Sequence, residues 1–300
     1  MGEQDVESKK DEPSDRPRSV TKPEKGTRLT ALEIHDNLLA GGSEDTKRPT
    51  PSLLWSALAS GLVIGFSLLA GAFLSTMADG EAAKRALRAA GYPLGFIFVV
   101  LGRSELFTEN TLEPVLPLLH ERTGKRLRAL LRMWALLLCG NMAGAALFGA
   151  LVADTPVIAS SLRGAVLDVA VAGTSGGFAA VFYRGIFAGW LIALMGWLLG
   201  STGSRIAQIL IIWICTASIG AFEFRHSVAG AVEAFFRIFS GNASAGEMIG
   251  GFIVPAVLGN AVGGVVLVAL LNYAQVYAEL PHGARTRSNR PRRGSVRRSD

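Results

Sequence analysis

Gly102-Arg103-Ser104-Glu105-Leu106-Phe107-Thr108-Glu109-Asn110 lies inside an otherwise apolar run, Gly91 to Leu119, that is long enough to span a bilayer. A plain spanning helix has no use for Arg, Glu, Thr, Glu and Asn so close together. Unpaired in hydrocarbon each costs kilocalories, so such residues face a bundle interior or a pore. The second half of the chain holds a partner stretch, Gly220-Ala221-Phe222-Glu223-Phe224-Arg225-His226, which also reads Gly-x-x-Glu and also interrupts a hydrophobic run. Two interrupted segments at matching places in two halves point to a transport site. Both are expected to be broken helices, non-helical over 105–110 and 223–227, that meet near the membrane midplane.

The rest of the composition agrees with a membrane setting. Half of the 300 residues are hydrophobic and 18% are charged, and the apolar residues fall in long blocks rather than amphipathic stripes. A formal charge of +6 would suit nucleic acid, but nine of the 30 Lys and Arg precede Pro49 and seven follow Pro281. The basic character therefore sits in the tails, and no nucleic-acid partner is expected. Cys139 and Cys215 lie within apolar segments, without metal-ligand spacing, and read as packing residues. No metal cluster, nucleophile triad or phosphate loop is present in the sequence, so an enzyme is disfavoured and neither a cofactor nor a catalytic residue is expected.

Residues 1–28 read as a disordered basic tail and 279–300 as a second one. Between Thr27 and Ala40, Leu29, Leu32, Leu38 and Leu39 alternate with Glu33, His35 and Asp36. This predicts an amphipathic helix on the membrane surface, within an interfacial segment covering 29–50. A six-helix channel domain is expected over 51–278, with spans at about Ser52–Ala78, Gly91–Leu119, Leu130–Ala153, Gly177–Gly200, Ile206–Phe239 and Met248–Tyr277. The loop after the second span carries Arg122, Lys125, Arg126, Arg128 and Arg132. With both basic tails on that same side, the positive-inside rule places both termini in the cytoplasm.

The halves repeat. Gly61-x-x-x-Gly65 matches Gly185-x-x-x-Gly189, Gly102-x-x-Glu105 matches Gly220-x-x-Glu223, and Gly140-Asn141-x-x-Gly144 matches Gly259-Asn260-x-x-Gly263. Three matches in one order indicate a duplication. Because three helices is an odd number, the second copy enters the membrane upside down, giving two inverted three-helix repeats. The glycines flatten helix faces so that backbones can approach. Asn141 and Asn260 need partners in apolar surroundings, and either clamp the helix breaks or line the pore.

These residues resemble the formate/nitrite transporter family. The resemblance rests on Glu105-Leu106-Phe107-Thr108, on His226-Ser227-Val228-Ala229, and on Pro255-x-x-x-Gly259-Asn260-x-x-Gly263-Gly264, and it covers roughly 34–278. It implies an aquaporin-like fold assembled as a homopentamer in the plasma membrane, with one path per protomer for small monovalent weak-acid anions or their neutral acids. Leu106, Phe107, Thr108 and His226 would line that path, Phe107 as a constriction and His226 at its centre. Two features depart from the family pattern. Arg225 rather than Glu precedes the histidine. The family's lysine ahead of the fourth helix would fall near Gly173, yet no lysine follows Lys125. This places the chain in a divergent branch.

A narrow apolar pore rejects a bare anion by desolvation cost, whereas the neutral acid passes cheaply, so protonation at the vestibule or at His226 would reconcile the two. Arg103 and Arg225 are the candidates for the missing positive charge, with Arg184 a further one. Arg103, Glu105, Glu223 and Arg225 either serve charge attraction and proton relay, or pair with one another as neighbours in sequence. The competing function classes are a neutral-solute pore and a non-conducting scaffold or sensor.

Overall fold

The computed structural model describes residues 29–279, all of whose regular elements are helical. The tails expected over 1–28 and beyond 279 lie outside the described residues. The chain opens with α1 (Ala31–Asp45), started by a capping box: Glu33 N–H donates to Thr30 Oγ1 at 3.3 Å, and the Glu33 carboxylate accepts from Thr30 N–H at 2.8 Å. The apolar face of α1 does not stay free. Ile34 and Leu38 are buried with Val115, Leu116 and Val268, so the helix docks on the protein itself.

α2 (Thr50–Val63) and α3 (Phe66–Ser75) form one run interrupted by a turn at 64–65, followed by α4 (Glu81–Gly91) and α5 (Pro93–Leu101). After α5 the helix breaks. Short 3-10 turns, Glu109–Thr111 and Glu113–Val115, lead into α6 (Leu116–His120). Then come α7 (Gly124–Asp154), α8 (Ser160–Thr174), α9 (Phe178–Leu199) and α10 (Arg205–Ala221). A second break at 222–226 precedes α11 (Ser227–Phe239). The last span combines a π segment (Glu247–Ile253), α12 (Val254–Val262), a second π segment (Gly263–Leu270) and α13 (Leu271–Glu279).

Four runs, Thr50–Ser75, Gly124–Asp154, Phe178–Leu199 and Glu247–Tyr277, are long and apolar enough to cross a membrane. α5 has only nine residues. At 1.5 Å per residue it covers roughly 14 Å, less than half of a ~30 Å hydrocarbon core. Large apolar side chains such as Trp55, Tyr183, Ile206 and Phe222 stand 63–73% exposed, as expected of a surface solvated by lipid.

The long spans meet through glycine. α2 lies on α7 and α9 on α12. A side chain at Gly61 would overlap the backbone carbonyl of Asn141, and one at Gly189 would overlap that of Asn260. Gly61 thus plays the part of Gly189, four residues on from the Gly61–Gly185 match suggested by the sequence. Two further helices, α4 and α8, fall where loops are expected from hydropathy. The first ten residues of α4 (Glu-Ala-Ala-Lys-Arg-Ala-Leu-Arg-Ala-Ala) are strong helix formers, and their charges mask the helix from a hydropathy scan.

Candidate pore site

The two breaks are built alike. Arg103 at φ 56° and Glu223 at φ 55° are the described non-glycine residues in the left-handed region, and each reverses the chain at the end of its helix. Ser104 N–H then reaches back to Val99 O at 3.1 Å, and Phe224 N–H reaches Ile219 O at 2.9 Å. Beyond this point the backbone has no helical partners, and two asparagines supply them. Asn141 Oδ1 accepts Phe107 N–H at 2.8 Å, while its amide donates to Glu105 O, Ala57 O and Ser60 Oγ. Asn260 Oδ1 accepts Ser227 N–H at 2.8 Å, while its amide donates to Arg225 O and Gly185 O.

These bonds define which residues correspond. Glu105 matches Arg225, and Arg103 matches Glu223, two residues away from the Gly-x-x-Glu alignment. The charges are therefore reversed between the halves, and Leu106 occupies the place equivalent to His226.

The charged residues do not pair with their sequence neighbours. Glu105 forms an ion pair with Arg48 at the entrance of α2 and accepts from Asn110 Nδ2 at 2.8 Å. Its backbone N–H donates to Ser56 Oγ at 3.0 Å. Glu223 lies 3.6 Å from Arg85 and 3.7 Å from Arg184, which ties Arg184 to a carboxylate rather than leaving it as a free cation. Buried Arg225 donates through Nη2 to Ser175 O at 3.0 Å and Ser175 Oγ at 3.2 Å. Arg103 is exposed on a cavity wall.

His226 joins the halves. Its Nε2 lies 2.8 Å from Thr108 Oγ1. Its Nδ1 caps α11 by accepting Ala229 N–H at 3.2 Å. An accepting Nδ1 assigns the neutral tautomer with hydrogen on Nε2, which then donates to Thr108. The Phe96 ring stands edge-on to the imidazole with centroids 4.9 Å apart. One cavity borders each break. One, of about 240 Å³, is walled by His226, Arg225, Tyr92 and Glu233. The other, of about 600 Å³, is walled by Glu105, Asn110, Arg103 and Asp45. Leu106, Phe107 and Thr108 are buried and border neither one. The Phe107 ring packs edge-on against Trp134, with centroids 5.8 Å apart.

Sequence reasoning missed several neighbours of His226. Tyr92 and Phe96 come from α5 and its entry, and Glu233 comes from α11. Glu233 stands seven residues beyond His226 in an apolar run, and a lone carboxylate at that spacing was the signal available. At Gly173, where a lysine is expected by resemblance, a side chain would overlap the Glu233 carboxylate.

Long apolar helices and two broken ones meeting at a buried histidine define a multi-pass membrane transporter, not an enzyme. The formate/nitrite transporter family matches residues 32–274, and the chain belongs to it. It is 32% identical over 246 residues to the "Inner membrane protein YfdC" of Escherichia coli (strain K12), covering 82% of this chain and 79% of that protein. It is 30% identical over 241 residues to a "Probable formate transporter" of Methanothermobacter thermautotrophicus, covering 70% and 87%. A solved "Pentameric formate channel with formate bound" shares the fold at a TM-score of 0.64 and 22% identity, covering 76% of this chain and 98% of that one.

Proposed function

We propose that this chain is a channel for small monovalent weak-acid anions or their neutral acids, working as a homopentamer with one path in each protomer. In this reading six helices cross the plasma membrane as two inverted halves, with the second and fifth broken and both termini cytoplasmic. The observation that carries it is the Thr108–His226 bond at 2.8 Å, which links two chain breaks, each bordered by a cavity. Open backbone at membrane depth is tolerated only inside protein or beside a cavity, which favours a path over a scaffold. The solved pentameric neighbour and the formate-named relative support the assembly and the solute class.

The path runs from one cavity to the other past Leu106, Phe107, Thr108 and His226. Leu106 and Phe107 make the septum apolar, so a bare anion meets a desolvation cost there that its conjugate acid avoids. With the Nε2 hydrogen donated to Thr108, the threonine hydroxyl hydrogen is free to meet a solute. Asn141 and Asn260 hold both breaks at the distance this contact needs.

The test is uptake into liposomes carrying the purified protein, with formate, nitrite, acetate, lactate and hydrosulfide as solutes. Saturable uptake of one or more of them, rising as pH falls, supports the reading. Uptake indifferent to pH points to a neutral-solute pore, and none across the panel points to a scaffold.

A further inference from the structure

The opening turns of α7 carry a charged patch that the channel reading does not use. Met133 to Ala153 contains no charged residue and, at 1.5 Å per residue, covers about 32 Å, enough for the whole hydrocarbon layer. The turns before it, residues 124–132, therefore stand at the depth of the lipid headgroups. There Gly124, Leu127, Arg128, Leu131 and Arg132, spaced by three and four, wall a shallow depression on one face of the helix. Leu127 and Leu131 are 45% and 52% exposed, and exposed Ala135, Cys139 and Ala143 continue their ridge at a spacing of four. Among the described residues no hydrogen bond or ion pair engages exposed Lys125 or Arg128. Arg132 donates to neutral groups, Thr50 Oγ1 at 2.7 Å and Arg48 O at 3.3 Å, which hold its guanidinium without cancelling its charge. Arg126, two positions from Arg128 and so on another side of the helix, is instead neutralised by Glu121 at 3.0 Å.

We infer that this face of α7 holds an anionic phospholipid. Arg128 and Arg132 take its phosphate, since a planar guanidinium offers paired donors that match phosphate oxygens, and Lys125 adds a third positive charge. An acyl chain then runs along Leu131 and down the apolar ridge through Ala135 and Cys139. Uncompensated cations at headgroup depth, with an unbroken apolar ridge directly below them, match the two ends of one lipid molecule. A free phosphate would use the cations and leave the leucines exposed. A second copy of the chain on this face would have to bury three unpaired cations, a cost that a lipid phosphate removes. The inference rests on α7 crossing the membrane and does not depend on which solute the channel passes.

The test is native mass spectrometry of the full chain in mild detergent, titrated with phosphatidylglycerol or with phosphatidylcholine of the same acyl chains. The native protein is expected to retain phosphatidylglycerol at clearly lower lipid concentrations. Lys125→Gln and Arg128→Gln are each expected to cut that preference about fivefold, the worth of one basic residue at an anionic headgroup. Arg126→Gln removes the same formal charge from another side of the helix and is expected to leave the preference near native. Glycerol 3-phosphate, which has the phosphate without the chains, is expected not to displace the lipid. Equal retention of the two lipids overturns the inference. So does an equal loss in Arg126→Gln and Arg128→Gln, which reduces the patch to a diffuse field, or displacement by glycerol 3-phosphate, which makes it a free-phosphate site. An oligomer that falls apart in both Lys125→Gln and Arg128→Gln makes the face a contact between copies and overturns it as well.

Discussion

Thr108 Oγ1 and His226 Nε2 stand 2.8 Å apart although 118 residues separate them in the chain. The bond is fully enclosed, and its geometry depends on the Ala229 N–H holding Nδ1 on the far side of the ring. Thr108→Val keeps the shape of the side chain and removes the oxygen, leaving a buried N–H unpaired at a cost of about 1–3 kcal/mol. Weak-acid uptake into liposomes is expected to fall about tenfold or more in Thr108→Val and to stay near native in Thr108→Ser. Equal uptake in the two variants would remove the bond from the transport path.

The asparagine clamps predict unequal stability losses. Asn141 makes four hydrogen bonds and Asn260 three. Asn→Leu at either position strands a backbone N–H, of Phe107 or of Ser227, away from water. Each is expected to cost about 2–4 kcal/mol, with Asn141→Leu the worse. Thermal unfolding of the detergent-solubilised oligomer reads this directly.

Arg48 and Glu105 form a pair whose side chains are 31% and 12% exposed, so screening reduces its worth to about 1 kcal/mol. Arg48→Gln is expected to lower thermal stability by that order. Adding Glu105→Gln should restore part of the loss, since no carboxylate is then left half-buried. Arg103→Gln behaves differently, because Arg103 is exposed on the larger cavity and no ion pair engages it among the described residues. Its expected effect is on anion uptake with stability unchanged.

Asp45, at the end of α1, supplies a pH dependence. Burial first, and the Glu105 carboxylate second, push its carboxyl up to about 6 against the pull of Arg48 and Arg103. A carboxyl raised on folding binds its proton more tightly in the folded state. The stabilisation is therefore complete below the ordinary value near 3.8 and is lost as pH rises through 6. Asp45→Asn is expected to melt roughly 2–4 °C higher than native at pH 7, for about 1 kcal/mol after screening, and to match it near pH 4. A gain of the same size at both pH values would contradict this assignment.

Much of the site is legible in the chain of residues itself. A cluster of polar residues in an apolar run costs too much to be incidental, so Arg103 to Asn110 and Glu223 to His226 announce both breaks. Asn141 and Asn260 stand out because an amide in a membrane span needs partners. Those inferences depend on transfer energies of single residues, and such energies can be read along one dimension.

The sequence alone determined that the chain is an α-helical membrane protein, that two of its spans are interrupted, and that it resembles one transporter family. Only the tertiary structure decided who meets whom. The sequence aligned Glu105 with Glu223, whereas the asparagine bonds pair it with Arg225. The sequence set each Arg beside its neighbouring Glu, whereas Glu105 went to Arg48, 57 positions away, and Glu223 to Arg85 and Arg184. Glu233 is an isolated carboxylate in an apolar run until folding brings it to Gly173 and Arg225. The reason is geometric. A residue's hydrophobicity is its own property, but a charge's partner depends on how separate helices cross and where a left-handed residue turns the chain, and neither is encoded at a fixed spacing.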